Sequence, residues 1–571
     1  MRAYKAKNPT RAGIELPDLI ALMLILSLFT GMLVIASHWF DPIQMNQREF
    51  DLSLLTLPRA TFLSISRIVI AYLISLMIAI TVGYIAAHSR AAERFIIPIV
   101  DILQSVPTFG FLPGTVLLFI ALFPSTNIGL EISAIIMIVI SMVWNMLLSF
   151  YASIKSIPQE YAEIIRACRY SRIGVLLRLE IPFAINGLVW NSMLSVAAGW
   201  FFLTICESFT LGEYSFKLVG LGSYMAYAAE RGDTTAILAG CAIMILTLFL
   251  ADTFIWRPLL RWAERFQGVN AGTNDEEEEE ESGLIDFFSS SKRITRFVRR
   301  LRRYYSRLFF AEQKNKRNRR WTKKFSSWIL KFATIFLGVA IVSGVAMAVR
   351  LVSQMESSQW IILFRDASYT CMRVFAVLLF SSLIMIPFGL WLGSQPKLTR
   401  RFRTLIQVIA AFPAPMIFPV ITTALLALEI PISIVSVALM MFGAQWYLLF
   451  NVIAGASTVP REFVEVAETT GMSKTEILKR VFLPAAMPSI ATGWLTAAGG
   501  AWNASIVAEI VTFRGRELVA PGLGSYIALA AGSQRYGELV AAVVVMVILI
   551  VAINRFLWAR LYNFVESRFR L

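Results

Sequence analysis

The chain has 571 residues, of which 57% are hydrophobic and only 16% charged, a balance that excludes a soluble globular protein and points to a polytopic membrane protein. Its formal net charge of +16 would suit a nucleic-acid binder, but the excess sits in loops beside apolar runs, where membrane orientation requires it. The four cysteines (Cys168, Cys206, Cys241 and Cys371) lack metal-ligand spacing and the two histidines are isolated, so neither a disulfide framework nor a zinc site is expected.

Apolar runs long enough to cross a hydrocarbon core of about 30 Å recur along the whole length. Lys5, Lys7 and Arg11 precede the first of them, which places residues 1–18 in the cytoplasm, and Leu19 to Ser37 reads as a retained span because no small-residue cleavage site follows it. A first unit, 19–256, then carries spans near 19–37, 61–87, 95–123, 131–151, 182–209 and 234–256. Arg90 and Arg94 follow the second span, and Lys155, Arg166, Arg169 and Arg172 follow the fourth. Those loops belong inside. The connections around Asp41 to Asp51 and from Glu213 to Asp233 belong outside.

Residues 257–327 differ in composition. Asp275 with Glu276 to Glu281 forms an acidic low-complexity run, followed by Arg293 to Tyr305, in which Ile294, Phe297, Val298 and Leu301 share one helical face and arginines take the other. The acidic run reads as solvated, and the basic stretch as a tether lying on an anionic membrane surface. A second unit, 328–566, follows, with spans near 328–350, 367–393, 404–428, 430–453, 484–511 and 537–559.

The second unit repeats the first. Arg67, Gly83, Pro107 and Pro113 recur 306 residues on as Arg373, Gly389, Pro413 and Pro419; Trp144, Trp200, Glu207 and Leu221-Gly222-Ser223-Tyr224 recur 302 residues on as Trp446, Trp502, Glu509 and Leu523-Gly524-Ser525-Tyr526. This is a tandem duplication. Six spans return the chain to its starting side, so the two copies run parallel and a pathway is expected between them. The fold class is therefore all-α: two tandem parallel six-span units, about 12 transmembrane helices.

Between the fourth and fifth spans of the second unit, in the loop 458–484, Ser457, Thr458 and Pro460 signal a helix start, with Glu462 in the first turn. Phe463, Val466, Ala467 and Thr470 then form one apolar stripe suited to a groove. Gly471 ends the helix, and Ser473-x-x-Glu476 is a capping box for the next. The first unit holds a weaker copy in the loop 156–182: Pro158, Glu163, Ile181 and Pro182 match Pro460, Glu465, Leu483 and Pro484, while Tyr161, Ile164, Ile165 and Cys168 repeat the stripe. Arg169 stands where the glycine would be, so that helix is strained or ends differently.

The spacing Glu465-Val466-Ala467-x-x-x-Gly471, then nine residues to Val481-Phe482-Leu483-Pro484, resembles the "EAA" cytoplasmic loop of ABC importer permeases, the element that docks a separate ATPase. Outside the linker the whole chain is similar to a duplicated binding-protein-dependent ABC permease. Its second-span arginine, Pro-rich third span, fifth-span glutamate and Gly-Leu-Gly turn are most similar to the nitrate, sulfonate, taurine and bicarbonate branch. The resemblance implies a type I importer of the bacterial inner membrane, a translocation subunit that is not itself an enzyme, with both termini cytoplasmic. It implies two copies of a cytoplasmic ABC ATPase on Glu163, Ile164, Ile165, Arg169, Pro182, Glu465, Val466, Ala467, Gly471, Leu483 and Pro484. It also implies an external solute-binding protein and a small anionic solute, inorganic or organic.

No G-x-x-x-x-G-K-[ST] loop occurs, so ATP and Mg would be held by the partner ATPases, with no cofactor in this chain. No Ser/His/Asp or Cys/His grouping suggests catalysis. Proline clusters break the third spans, at Pro107 and Pro113 and at Pro413, Pro415 and Pro419, and freed carbonyls are tolerated where a watery cavity meets them. Arg67, Arg373, Glu207 and Glu509 are charges within spans and need partners: they either pair with one another or draw an anion into the pathway. Gln104, Thr108, Asn145, Trp200, Gln445, Trp502 and Asn503 are further pathway candidates, although such residues also serve helix packing. Two rival functions stand: a twelve-span secondary carrier, which would need more coupling carboxylates than the spans offer, and a membrane scaffold built on the basic linker.

Overall fold

The computed structural model describes residues 51–105, 108–158, 160–161, 163, 170, 172–211, 214–264, 266, 338–339, 342–513 and 516–569. The expected span 19–37, the acidic run and the basic stretch lie outside the described residues, as do Ile164, Ile165, Cys168 and Arg169; the expected span 328–350 is described only in part.

In chain order the first unit comprises α1 (Leu57–His88), α2 (Arg90–Ser105), a 3-10 turn Thr108–Phe111, α3 (Leu112–Leu122), α4 (Ile128–Lys155), α5 (Ile181–Cys206), the hairpin β1 (Ser208–Leu211) and β2 (Tyr214–Lys217), α6 (Leu221–Arg231), α7 (Thr234–Ala251) and α8 (Arg257–Glu264). The second comprises α9 (Ser357–Gly393), α10 (Pro396–Ala411), α11 (Ala414–Leu426), α12 (Ile432–Ser457), α13 (Arg461–Thr469), α14 (Leu483–Ala508), the hairpin β3 (Ile510–Phe513) and β4 (Arg516–Val519), α15 (Leu523–Gly532), α16 (Tyr536–Ile553) and α17 (Ala559–Phe569). Apart from the two antiparallel hairpins, with Ser208 opposite Lys217 and Ile510 opposite Val519, the described chain is helical. It is a polytopic all-α membrane protein.

Small residues let the helices approach closely. Ala71, Ser75, Ala79, Gly83 and Ala86 line the buried face of α1, which packs along α4, and a Cβ on Gly83 would stand 3.0 Å from the Phe150 ring. In the second unit Gly389 meets Val452 in the same way. With lipid on the outside, such close packing is what holds spans together.

Eight described helices are long and apolar enough to cross a membrane, or nine if α10 and α11 count as one broken span. The third spans depart from the sequence expectation. The range 95–123 is three pieces, and 404–428 bends by 82° between Ala411 and Ala414. The cause is Pro413, which forces Phe412 into an extended conformation (φ −65°, ψ 127°) and starts a new helix. The last spans also outrun their expected ends: a π turn, Asp252–Trp256, joins α7 to α8, so the chain stays helical past 257, and Asn554–Trp558 joins α16 to α17. Similar π turns, Leu176–Glu180 and Leu478–Phe482, lead into α5 and α14.

Each unit has its own buried cluster, but they interlock: Val408 and Met416 of the second unit belong to the first unit's core, and Phe202 to the second's. α6 packs against β3 of the other unit and α15 against β1, so the hairpins share one end of the bundle. Since α5 and α14 each run from a π turn to a hairpin, both loops 156–182 and 458–484 lie at the opposite end, about 40 Å away at 1.5 Å per residue.

Candidate translocation cavity and coupling face

Arg67 and Arg373 are committed to carboxylates. Arg67, 1% exposed, donates from Nη1 to Glu207 Oε1 at 2.6 Å and from Nε and Nη2 to the two oxygens of Glu131 at 2.7 and 2.6 Å. Arg373 donates from Nη1 to Glu509 Oε1 at 2.8 Å. The repeat extends to the neighbours. Ser64 Oγ donates to Glu207 at 2.6 Å and accepts from the Leu221 N–H; Thr370 Oγ1 donates to Glu509 at 2.7 Å and accepts from the Leu523 N–H. The amides of Gly222 and Gly524 donate to Glu207 Oε2 and Glu509 Oε2. The opening N–H groups of α6 and α15 are thus satisfied, the first by a hydroxyl and the next by a carboxylate that the helix dipole favours. Gly220 and Gly522 lie directly against those carboxylates, where any Cβ would collide. A buried ion pair needs such extra bonds to offset desolvation, and these have them.

Glu131 is the member of this network that sequence reasoning missed. The span was expected to begin at residue 131, which made its carboxylate an end group; the helix begins at Ile128, and Glu131 is 2% exposed. The rule that an acid inside an apolar run needs a partner would have found it.

Between the units lies a cavity of about 340 Å³. Of the expected pathway residues, Gln104, Thr108, Asn145, Trp200, Trp502 and Asn503 line it, together with Trp144, Trp446, Tyr447, Gln407 and Asp252, which composition alone did not single out. Gln445, Pro413, Arg67, Arg373, Glu207 and Glu509 do not line it; Gln445 and Pro413 are buried in the helix packing. The units are tied across the cavity by the Thr108 N–H, which donates to Asn503 Oδ1 at 3.0 Å. The broken third spans thus do reach the cavity wall, and the Asn503 side chain meets one of the backbone groups at the break. No lysine, arginine or histidine lines the cavity among the described residues. Its one charged group, Asp252, accepts a hydrogen bond from Arg257 Nε at 3.0 Å.

At the far end, α13 runs from Arg461 to Thr469, Gly471 takes φ +78°, and Ser473 and Glu476 form the expected capping box, with the Ser473 N–H donating to Glu476 Oε2 at 3.0 Å. The expected stripe divides in two. Ala467, 4% exposed, turns inward with Val464 against the second unit's core, whereas Phe463 and Val466 are 52% and 62% exposed. Three or four residues are one helical turn, so Phe463 and Val466 share an outer face and Ala467 anchors the helix from within. Glu465 is exposed beside them, and Leu483 and Pro484 are half-buried in the first turn of α14. In the first unit Glu163 is exposed and Pro182 opens α5.

Comparison with known proteins agrees with this arrangement. The family model described as "Binding-protein-dependent transport system inner membrane component" matches twice, at residues 79–256 and 385–571. A putative ABC transporter permease protein of Methanocaldococcus jannaschii is 28% identical over 183 residues, 32% of this chain and 65% of that protein. Nitrate import permease protein NrtB of Leptolyngbya laminosa is 22% identical over 251 residues, covering 42% of this chain and 85% of the relative. Taurine transport system permease protein TauC of Escherichia coli is 26% identical over 189 residues, 33% of this chain and 64% of the relative. Alignments covering about a third of this chain take in most of each relative, as expected where one chain holds the unit twice. The chain belongs to the inner-membrane components of binding-protein-dependent transport systems, and it carries two of their domains in tandem.

Proposed function

We propose that this chain is the permease subunit of an ABC importer and that its two units form the pathway for a small anionic solute. Two copies of a cytoplasmic ATPase dock on the segments 156–182 and 458–484, holding ATP and Mg, and a solute-binding protein delivers the solute at the hairpin end. Both chain termini then lie in the cytoplasm. The observation that carries the reading is the pairing of a cavity between the units with an outward apolar stripe, Phe463 and Val466, at the same end of the bundle as the first unit's matching loop. A helix that keeps large apolar side chains outside while Ala467 pins it from within is built to be gripped by another protein. The anion class is supported by relatives whose names specify nitrate, bicarbonate, taurine and aliphatic sulfonates.

The decisive experiment is reconstitution of the chain with and without its neighbouring ATPase. Solute-stimulated ATP hydrolysis is expected, and Glu465→Lys or Val466→Asp should abolish it while the chain remains folded. Uptake by the chain alone on an ion gradient would overturn the proposal in favour of a secondary carrier.

A further inference from the structure

The walls of the cavity say more about its occupant than the relatives do. A volume of about 340 Å³ falls among pockets that hold organic ligands, about 300–1,000 Å³, whereas an inorganic oxyanion is about the size of one or two waters at ~30 Å³ each. The wall is aromatic: Trp144, Trp200, Trp446 and Trp502 line it as two repeat-related pairs, joined by Tyr447 and Phe450. Both arginines that could have met an anion are already bonded to carboxylates, and no other cation reaches the cavity among the described residues. A bare ion moved into such a space would lose hydration without a counter-charge to offset it.

The duplication supplies a second, independent observation. At the buried ion pair the copies are identical, Arg67 matching Arg373 and Glu207 matching Glu509. Where the repeat lines the cavity, apart from the tryptophans, they differ: Asn145 is matched by Tyr447, Phe201 by Asn503, Thr108 by Ala414 and Asp252 by Asn554. A symmetric ion gains nothing from unlike walls. A solute with two different ends does.

Resting on the permease reading above, we infer that the cavity binds a planar organic solute with one polar end, stacked between tryptophans and oriented by neutral amide donors, chiefly Asn145. Asn145 is exposed to the cavity, and its amide makes no hydrogen bond to a described residue. Any charge the solute carries is met by N–H dipoles instead of a cationic side chain. Stacking on an aromatic ring contributes about 0.5–1.5 kcal/mol beyond area burial, enough for roughly tenfold in affinity.

The test uses the full chain in lipid nanodiscs, titrated calorimetrically with benzenesulfonate, with uncharged benzamide, with nitrate and with methanesulfonate. Saturable binding of at least one ring probe in the millimolar range is expected, with no saturable heat from nitrate or methanesulfonate at the same concentrations. Trp446→Ala should weaken the ring probe about tenfold, Asn145→Ala should weaken it by less, and Trp446→Phe should retain most of the affinity. Trp391→Ala, a change at a tryptophan outside the cavity and 42% exposed, should leave binding unchanged. Nitrate binding as tightly as the ring probes, absence of saturable binding by both of them, or equal weakening by Trp391→Ala and Trp446→Ala would each overturn the inference. ATP-coupled uptake without ring binding sinks this inference alone; ring binding without ATPase coupling sinks the permease reading alone.

Discussion

The two units keep the same buried arginine–glutamate pair and surround it differently. In the first, Arg67 is gripped by Glu207 on one side and bidentately by Glu131 on the other; in the second, the position matching Glu131 is Ser433, and Arg373 bonds only Glu509 among carboxylates. What both retain is the bracket in which a hydroxyl and a fifth-span carboxylate receive the N–H groups opening the short helix beyond the hairpin. The shared part holds the hairpin-side ends of three helices together, and the added acid makes the first unit's bracket the more charged of the two. Duplicated copies thus separate what the architecture requires from what each half has specialised.

The largest effect should come from removing the arginines. Losing one partner of a buried pair costs about 3–5 kcal/mol, and Arg67→Met strands two carboxylates where Arg373→Met strands one. The thermal unfolding midpoint of the purified chain should fall further for Arg67→Met, and equal shifts would break the comparison. Next come Gly220→Ala and Gly522→Ala. Each places a methyl group on the carboxylate of Glu207 or Glu509, and overpacking of that kind costs about 1–3 kcal/mol. The loss should be the same in both units, because this part of the bracket is shared. Smaller again is Gly471→Ala, which puts a side chain at φ +78° and costs about 1 kcal/mol. Amides of 461–469 should exchange with solvent several-fold faster, with no change in the first unit.

The smallest effect is a pH dependence confined to the first unit. There Lys155 Nζ and Tyr151 Oη donate to Glu93 at 2.8 and 2.6 Å, and these bonds, Lys155's first, hold the Glu93 carboxyl below its ordinary range. A carboxyl depressed by folding adds stability above its unfolded pKa, and that stability is lost as pH falls through the folded value. Being partly open to solvent, the pair adds little. Glu93→Gln should flatten the acid side of the stability profile slightly. The matching residue in the second unit, Thr399, donates to the Leu392 carbonyl instead, so Thr399→Val should leave that profile unchanged in shape.

Much of this was legible along the chain. Proline clusters marked the broken third spans, although only the extended Phe412 fixed where the 82° bend falls. Gly471, Ser473 and Glu476 announced the end of one short helix and the start of the next, since caps are built from residues a few positions apart. Pairing of Arg67 with Glu207 was one of two open readings, and the charge rule that raised it stopped short of Glu131 because the span boundary was set three residues late. Gln445 and Trp446 show the limit most directly: consecutive residues on a helix point about 100° apart, so one is buried in packing and the other lines the cavity.

The sequence by itself determined that the protein crosses the membrane repeatedly, that it carries the same unit twice, and that the second copy has a short helix between its fourth and fifth spans. These follow from hydropathy, charge bias and spacing, all of which are local. Only the tertiary structure decided which polar and aromatic side chains share the cavity, that Ala467 faces inward while Phe463 and Val466 face out, and that Arg67 holds two acids. Those outcomes depend on the rotation and approach of helices hundreds of residues apart, which packing of small residues sets and no single segment contains.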